Sequence, residues 1–178
     1  MMEIETQKND QRLYKIIAVI LLVLALGILA LAYFNRLQSA APYGTITIKN
    51  QEQVVAVLTM EEIRALPRVE KKVTINSASE GKSTDVWAGV SMEDVLDHAD
   101  PRLLENAQQV LTRAEDGFVS ALKPAEILGS DDVLIAYETN GESLKGKAQG
   151  GLGPFRLILA NDPYGNRMTK YLNELEIK

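Results

Sequence analysis

The chain has 178 residues, no cysteine, a single histidine (His98) and a formal charge of −5. That length allows one domain with a small addition. The missing thiols exclude a disulfide scaffold, a thiolate nucleophile and Cys-held zinc or iron–sulfur centres. The lone histidine excludes a multi-histidine metal site, and the acidic balance argues against a general nucleic-acid partner.

Residues 16–34 form a run of 19 without a charge. At the helical rise such a run spans roughly 28 Å, the thickness of a bilayer's hydrocarbon core. It shows no polar face, unlike a helix at the surface of a small domain, and Tyr33 and Phe34 at its end suit the membrane interface. The competing reading is a cleaved signal peptide. A signal's apolar region is shorter, about 7–15 residues, and Pro42 follows the nearest small-residue pattern, Ser39-Ala40-Ala41, so a retained anchor is favoured. Lys8, Arg12 and Lys15 precede the run and Arg36 follows it. The expected topology is therefore single-pass: residues 1–15 cytoplasmic, 16–34 in contact with membrane lipid, 35–42 a linker, and 43–178 an extracytoplasmic domain. That domain holds 15 Lys and Arg against 21 Asp and Glu.

Within it, alternation predicts strands over 43–49 and 53–58, joined by a turn at 49–52. Thr59-Met-Glu-Glu62 has capping-box spacing and opens a short helix that stops at Leu66-Pro67. A strand is expected over 69–76, then a polar loop over 77–85. Trp87-Ala-Gly-Val90 leads into a second capped helix, Ser91 to about Ala99. Strands follow over 109–114 and 118–122 around Glu115-Asp116-Gly117. Pro124 starts a helical turn. Residues 132–138 read as a strong strand, Asn140-Gly141 as a tight turn, 145–153 as a Gly-rich loop, and 155–160 and 169–177 as the last strands. About eight strands and two or three short helices, not alternating, predict a mixed α+β domain rather than a doubly wound parallel sheet.

Few residues suggest chemistry on their own. His98 reads as a helix C-terminal histidine, with no Gly-x-Ser-x-Gly elbow to serve. Asp131-Asp132 and Asp162-Pro-Tyr-Gly-Asn166 lack calcium-loop spacing and read as turn residues. The stretch from Glu142 to Arg156, rich in glycine and basic residues, could approach an anion through its backbone amides. It lacks Walker spacing and precedes a strand, so a P-loop is not indicated. A mobile loop is the plain alternative.

Three segments resemble the molybdopterin-binding domain of the sulfite oxidase-like oxidoreductases. They are Ala136-Tyr-Glu-Thr-Asn140-Gly141-Glu-Ser-Leu144, Gly153-Pro154-Phe-Arg156-Leu157, and Lys170-Tyr-Leu-Asn-Glu-Leu-Glu-Ile177. Leu58 to Pro67, Trp87 to Leu96 and Asp116-Gly117-Phe118 resemble upstream parts of the same family in order. The resemblance implies a sulfite oxidase-type fold and molybdopterin as the cofactor to consider. It places Ser77 where the family carries the cysteine that ligates molybdenum, and Gly151 near the place of a family histidine. It implies Ser77, Gly153, Arg156 and Lys170 as cofactor-binding positions, with no metal ligand among them. Two functions stay open: a membrane-anchored domain binding a pterin or other anionic cofactor in a redox role, or a non-catalytic binding or assembly module serving a membrane partner.

Overall fold

The computed structural model describes residues 15–31, 43–77 and 81–178. The chain divides into two compact units, residues 1–40 and 41–178. In the first, residues 15–31 form helix α1, with apolar side chains from Ile16 to Leu31 exposed. The expected span 16–34 runs beyond α1 into residues outside those described. Among the described residues no helix is long and apolar enough to cross a membrane.

The second unit is a mixed α+β domain with two five-stranded sheets. Strands β1 (Thr45–Asn50) and β2 (Gln53–Thr59) form the expected hairpin. Its turn residues Gln51 and Glu52 both have positive φ, the type I′ conformation that matches strand twist. Thr59 then caps helix α2 (Met60–Arg64): its hydroxyl accepts from the Glu62 amide while Glu62 accepts from the Thr59 amide. Strand β3 (Arg68–Ser77) pairs antiparallel with β4 (Gly81–Ser91).

The polar stretch expected as a loop over 77–85 is thus corrected from residue 81 onward. It is the exposed first half of β4, where polar side chains meet solvent on a hairpin extending past the core and the Thr74 and Thr84 hydroxyls bond across the pair. Ser91 caps helix α3 (Met92–Ala99) by accepting from the Asp94 amide. Met92, Val95 and Leu96 form its buried face.

Strands β5 (Val110–Ala114) and β6 (Val119–Leu122) form a further hairpin, followed by helix α4 (Pro124–Ile127). Strand β7 (Val133–Thr139) has five consecutive buried residues, as suits a strand with neighbours on both sides. It pairs with β4 on one side, and with the short β8 (Glu142–Ser143) and β9 (Arg156–Leu159) on the other. Asn140 and Gly141 make the left-handed turn between β7 and β8. Strand β10 (Leu172–Ile177) closes the chain.

The first sheet has the order β2-β1-β10-β5-β6, with β1 and β10 parallel. The second has the order β3-β4-β7-β8, with β9 also on β7. Among the described residues ten strands therefore stand where about eight were expected. Ile46, Ile48, Leu175 and Ile177 of the first sheet share one buried cluster with Val90, Leu134 and Ile158 of the second.

Candidate functional site

Ser77 ends β3, and its neighbour is fixed from outside the hairpin: the Asn76 amide donates to the Pro163 carbonyl at 2.9 Å. Lys170 precedes β10. Just before it, the Thr169 carbonyl is held by chain pairing, accepting from the Leu157 amide at 2.8 Å. The buried Thr169 hydroxyl bonds that of Thr112 on β5 at 2.7 Å. These two anchors bring Ser77 and Lys170, far apart in sequence, to one cleft of about 400 Å³.

Asp116, Phe118, Gly165, Asn166 and Met168 complete its lining. Gly117 supplies the positive φ for the β5–β6 turn, and Asp116 accepts from the Phe118 amide. An ammonium, a hydroxyl, an amide, an aromatic ring and a thioether thus meet around one acid. Within that set Lys170 and Phe118 suit a small organic anion with an aromatic part, and the Asp116 carboxylate restricts where its negative charge can lie.

The other two expected positions lie elsewhere. Arg156 on β9 is only 4% exposed, and its guanidinium sits 4.8 Å from the ring centre of Trp87, itself 3% exposed. This buried cation–π stack belongs to the second sheet, and Arg156 does not line the cleft. Gly153 closes the Gly-rich loop. A Cβ there would meet the Leu144 Cβ at 2.5 Å.

The loop is built rather than slack. The Gly151 amide donates to Gly146, Gly153 to Lys145 and Tyr171 to Leu152. A Cβ on Gly151 would lie 2.0 Å from the Lys145 carbonyl oxygen, so this backbone has no room for a histidine there.

The remaining sequence candidates resolve into ion pairs. Asp131 and Asp132 both accept from the Lys71 ammonium. Asp131, then Asp132, hold Lys71 protonated above its ordinary range, and Lys71 in turn keeps the Asp132 carboxyl below its own. Asp162 accepts from the Arg167 guanidinium. Burial pushes the Glu126 carboxyl up, but the Lys123 amide and Arg167 outweigh it and leave that carboxyl below the usual range. His98 is exposed in the last turn of α3, away from the cleft. Among the described residues no group of three or more His, Cys, Asp or Glu is placed to hold a metal ion.

Residues 44–178 match the model of the oxidoreductase molybdopterin binding domain. The chain belongs to that family. Its fold is also that of a solved relative, the sulfane dehydrogenase SoxCD from Paracoccus pantotrophus. The two are 17% identical with a TM-score of 0.63, over 78% of this chain and 40% of that one. The chain thus spans well under half of that protein. No curated protein matches.

The sulfite oxidase-like fold expected from the motifs is therefore present. Sequence reasoning missed Asn166 and Met168 as cleft residues. Asp116 and Phe118 were visible only as a turn of the family pattern.

Proposed function

We propose that this chain is a membrane-held binding module of the molybdopterin-binding family, whose cleft takes an organic anion and whose metal-ligating site is lost. The observation that carries the reading is the meeting of Ser77 and Lys170 in one cleft lined by neither a thiol nor an imidazole. Molybdenum held through a thiolate needs a soft, acidic ligand, and the Ser77 hydroxyl is neither. The donor set present therefore does not fit a thiolate-held molybdenum centre. It fits a pterin-like anion better: Lys170 for a phosphate, Ser77 and Asn166 for ring polar atoms, Phe118 for the ring face.

Residues 16–34 serve as the anchor in this reading, with the domain extracytoplasmic. Support comes from the wholly exposed apolar surface of α1 and from the basic residues that precede it. A redox or assembly partner in the same membrane would complete such a module.

The deciding experiment is metal and pterin analysis of the full-length chain from a host that makes molybdopterin. Molybdenum far below stoichiometry is expected, and stoichiometric molybdenum would restore the redox reading, with Ser77 as the oxygen ligand. Titration with a pterin monophosphate should show binding, and Lys170→Met should weaken it about tenfold or more, as removal of a charge-assisted hydrogen bond does. For the topology, protease added outside intact cells should digest 43–178 and spare 1–15. A fully protected domain would refute the orientation.

A further inference from the structure

The turn from Asp162 to Arg167 is a wall shared by two clefts. Gly165 and Asn166 line the Ser77 cleft. Asp162, Pro163 and Arg167 line a second cleft of about 560 Å³ on the other side, against Glu126 of α4. We propose that Arg167 is a positioning residue for the Ser77 cleft, fixing from behind the wall that Gly165 and Asn166 present to it. This rests on reading that cleft as the binding site.

The clasp is built from several directed contacts. The Arg167 guanidinium donates Nε to Asp162 at 3.0 Å and a terminal nitrogen to Glu126 at 2.8 Å. Asp162 uses its second oxygen to accept from the Tyr164 amide at 2.9 Å, so one carboxylate fixes both ends of the turn. Glu126 likewise uses its second oxygen to accept from the Lys123 amide, which ties the guanidinium to the start of α4. The Met168 amide donates to Gly165 and the Asn76 amide to Pro163, passing the restraint to the residue beside Ser77. Gly165 sits so close to β3 that a Cβ would touch the Ile75 side chain at 3.0 Å. A planar guanidinium spanning two carboxylates holds a fixed angle, which a lysine ammonium on a flexible stem does not.

The cysteine-free chain offers a direct test that needs no ligand. Ser77→Cys, made in a host that produces no molybdopterin, places the protein's sole thiol in the cleft. Its rate of reaction with an aromatic disulfide reagent reports how open the cleft is. Adding Arg167→Gln should raise that rate by at least about fivefold, because the unclasped turn opens more often. Arg167→Lys should recover part of the effect. A thiol at the exposed strand position Thr84 (Thr84→Cys) should react at the same rate in both backgrounds.

An unchanged rate at position 77, or an equal rise at positions 77 and 84, would overturn the proposal. If Arg167→Gln does not fold, Glu126→Gln removes one brace only, and it should raise the position-77 rate selectively. Failure of pterin binding would leave this test readable, because the reagent alone reports the cleft. A failed clasp would likewise leave the binding result standing.

Discussion

The Arg156 guanidinium lies 4.8 Å from the ring centre of Trp87, and both side chains are buried between strands β4, β7 and β9. Arg156 pairs in register with Ala136, which also faces Gly89 beside Trp87. The stack therefore couples the two strands that flank β7. Burial of a charge in such a place is costly unless its contacts are kept. Arg156→Leu is expected to keep volume, lose the cation–π contact and destabilise the domain by about 2 kcal/mol. Trp87 is the only tryptophan, so its emission reports the stack directly. The variant should change emission intensity and lower the urea midpoint, whereas its ligand affinity should match the wild type. A large loss of affinity with unchanged emission would place Arg156 in the site instead.

Local signals in the sequence carried over where the chemistry is local. The Thr59 capping box, the Ser91 cap and the Asn140-Gly141 turn each depend on residues within three positions of one another. What failed depends on distant partners. No local pattern tells that β1 lies parallel to β10. The polar start of β4 reads as a loop because its strand partner, and not a core, defines it. The family motif offers Arg156 as a cofactor-binding position, and nothing local shows that Trp87, on a different strand, stacks on it. Ser77 and Lys170 were legible through the family motifs, but Asn166 and Met168 reach the cleft through a turn whose course is set by Arg167.

If Ser77 occupies the place of the absent ligand, a thiol there should recover metal. Ser77→Cys, produced in a host that makes molybdopterin, is expected to carry more molybdenum than the parent chain. Thr84→Cys, on the exposed part of the same hairpin, should carry none. Elemental analysis with ultraviolet–visible spectra of a metal–thiolate band checks this. Metal content equal in all three proteins would mean that position 77 does not face the cofactor place.

Gly89 sits at the β4–β7 register shift, where the strands approach too closely for a side chain. A Cβ there would lie 2.1 Å from the Ile135 carbonyl oxygen and 2.6 Å from the Ala136 Cα. Both are backbone atoms of the central strand and cannot swing aside. Gly89→Ala should therefore destabilise by at least about 3 kcal/mol, at the upper end for overpacking. Thermal unfolding of the variant beside Gly129→Ala, whose Cβ would meet nothing but whose φ is +67°, separates the clash from ordinary backbone strain. Equal losses in the two would show that β4 can move away from β7.

On the outer face of the first sheet, Glu176 is the acid to watch. Its side chain is 3% exposed and is held by Lys178 at 2.6 Å and by Arg113 at 2.7 Å. The hydrogen bond from Lys178, then that from Arg113, keeps its carboxyl below the ordinary range against the opposing effect of burial. A carboxyl lowered on folding contributes stability in full above its unfolded value, near 4.3, and loses it as pH falls through the folded value. The domain should therefore weaken on acidification below about pH 4.3. Glu176→Gln should lower stability by about 2 kcal/mol at neutral pH, with a shallower acid limb, because the charge-assisted bonds are gone. Urea midpoints measured from neutral to acid pH decide it. Parallel curves for variant and parent would mean that Glu176 contributes nothing to the acid transition.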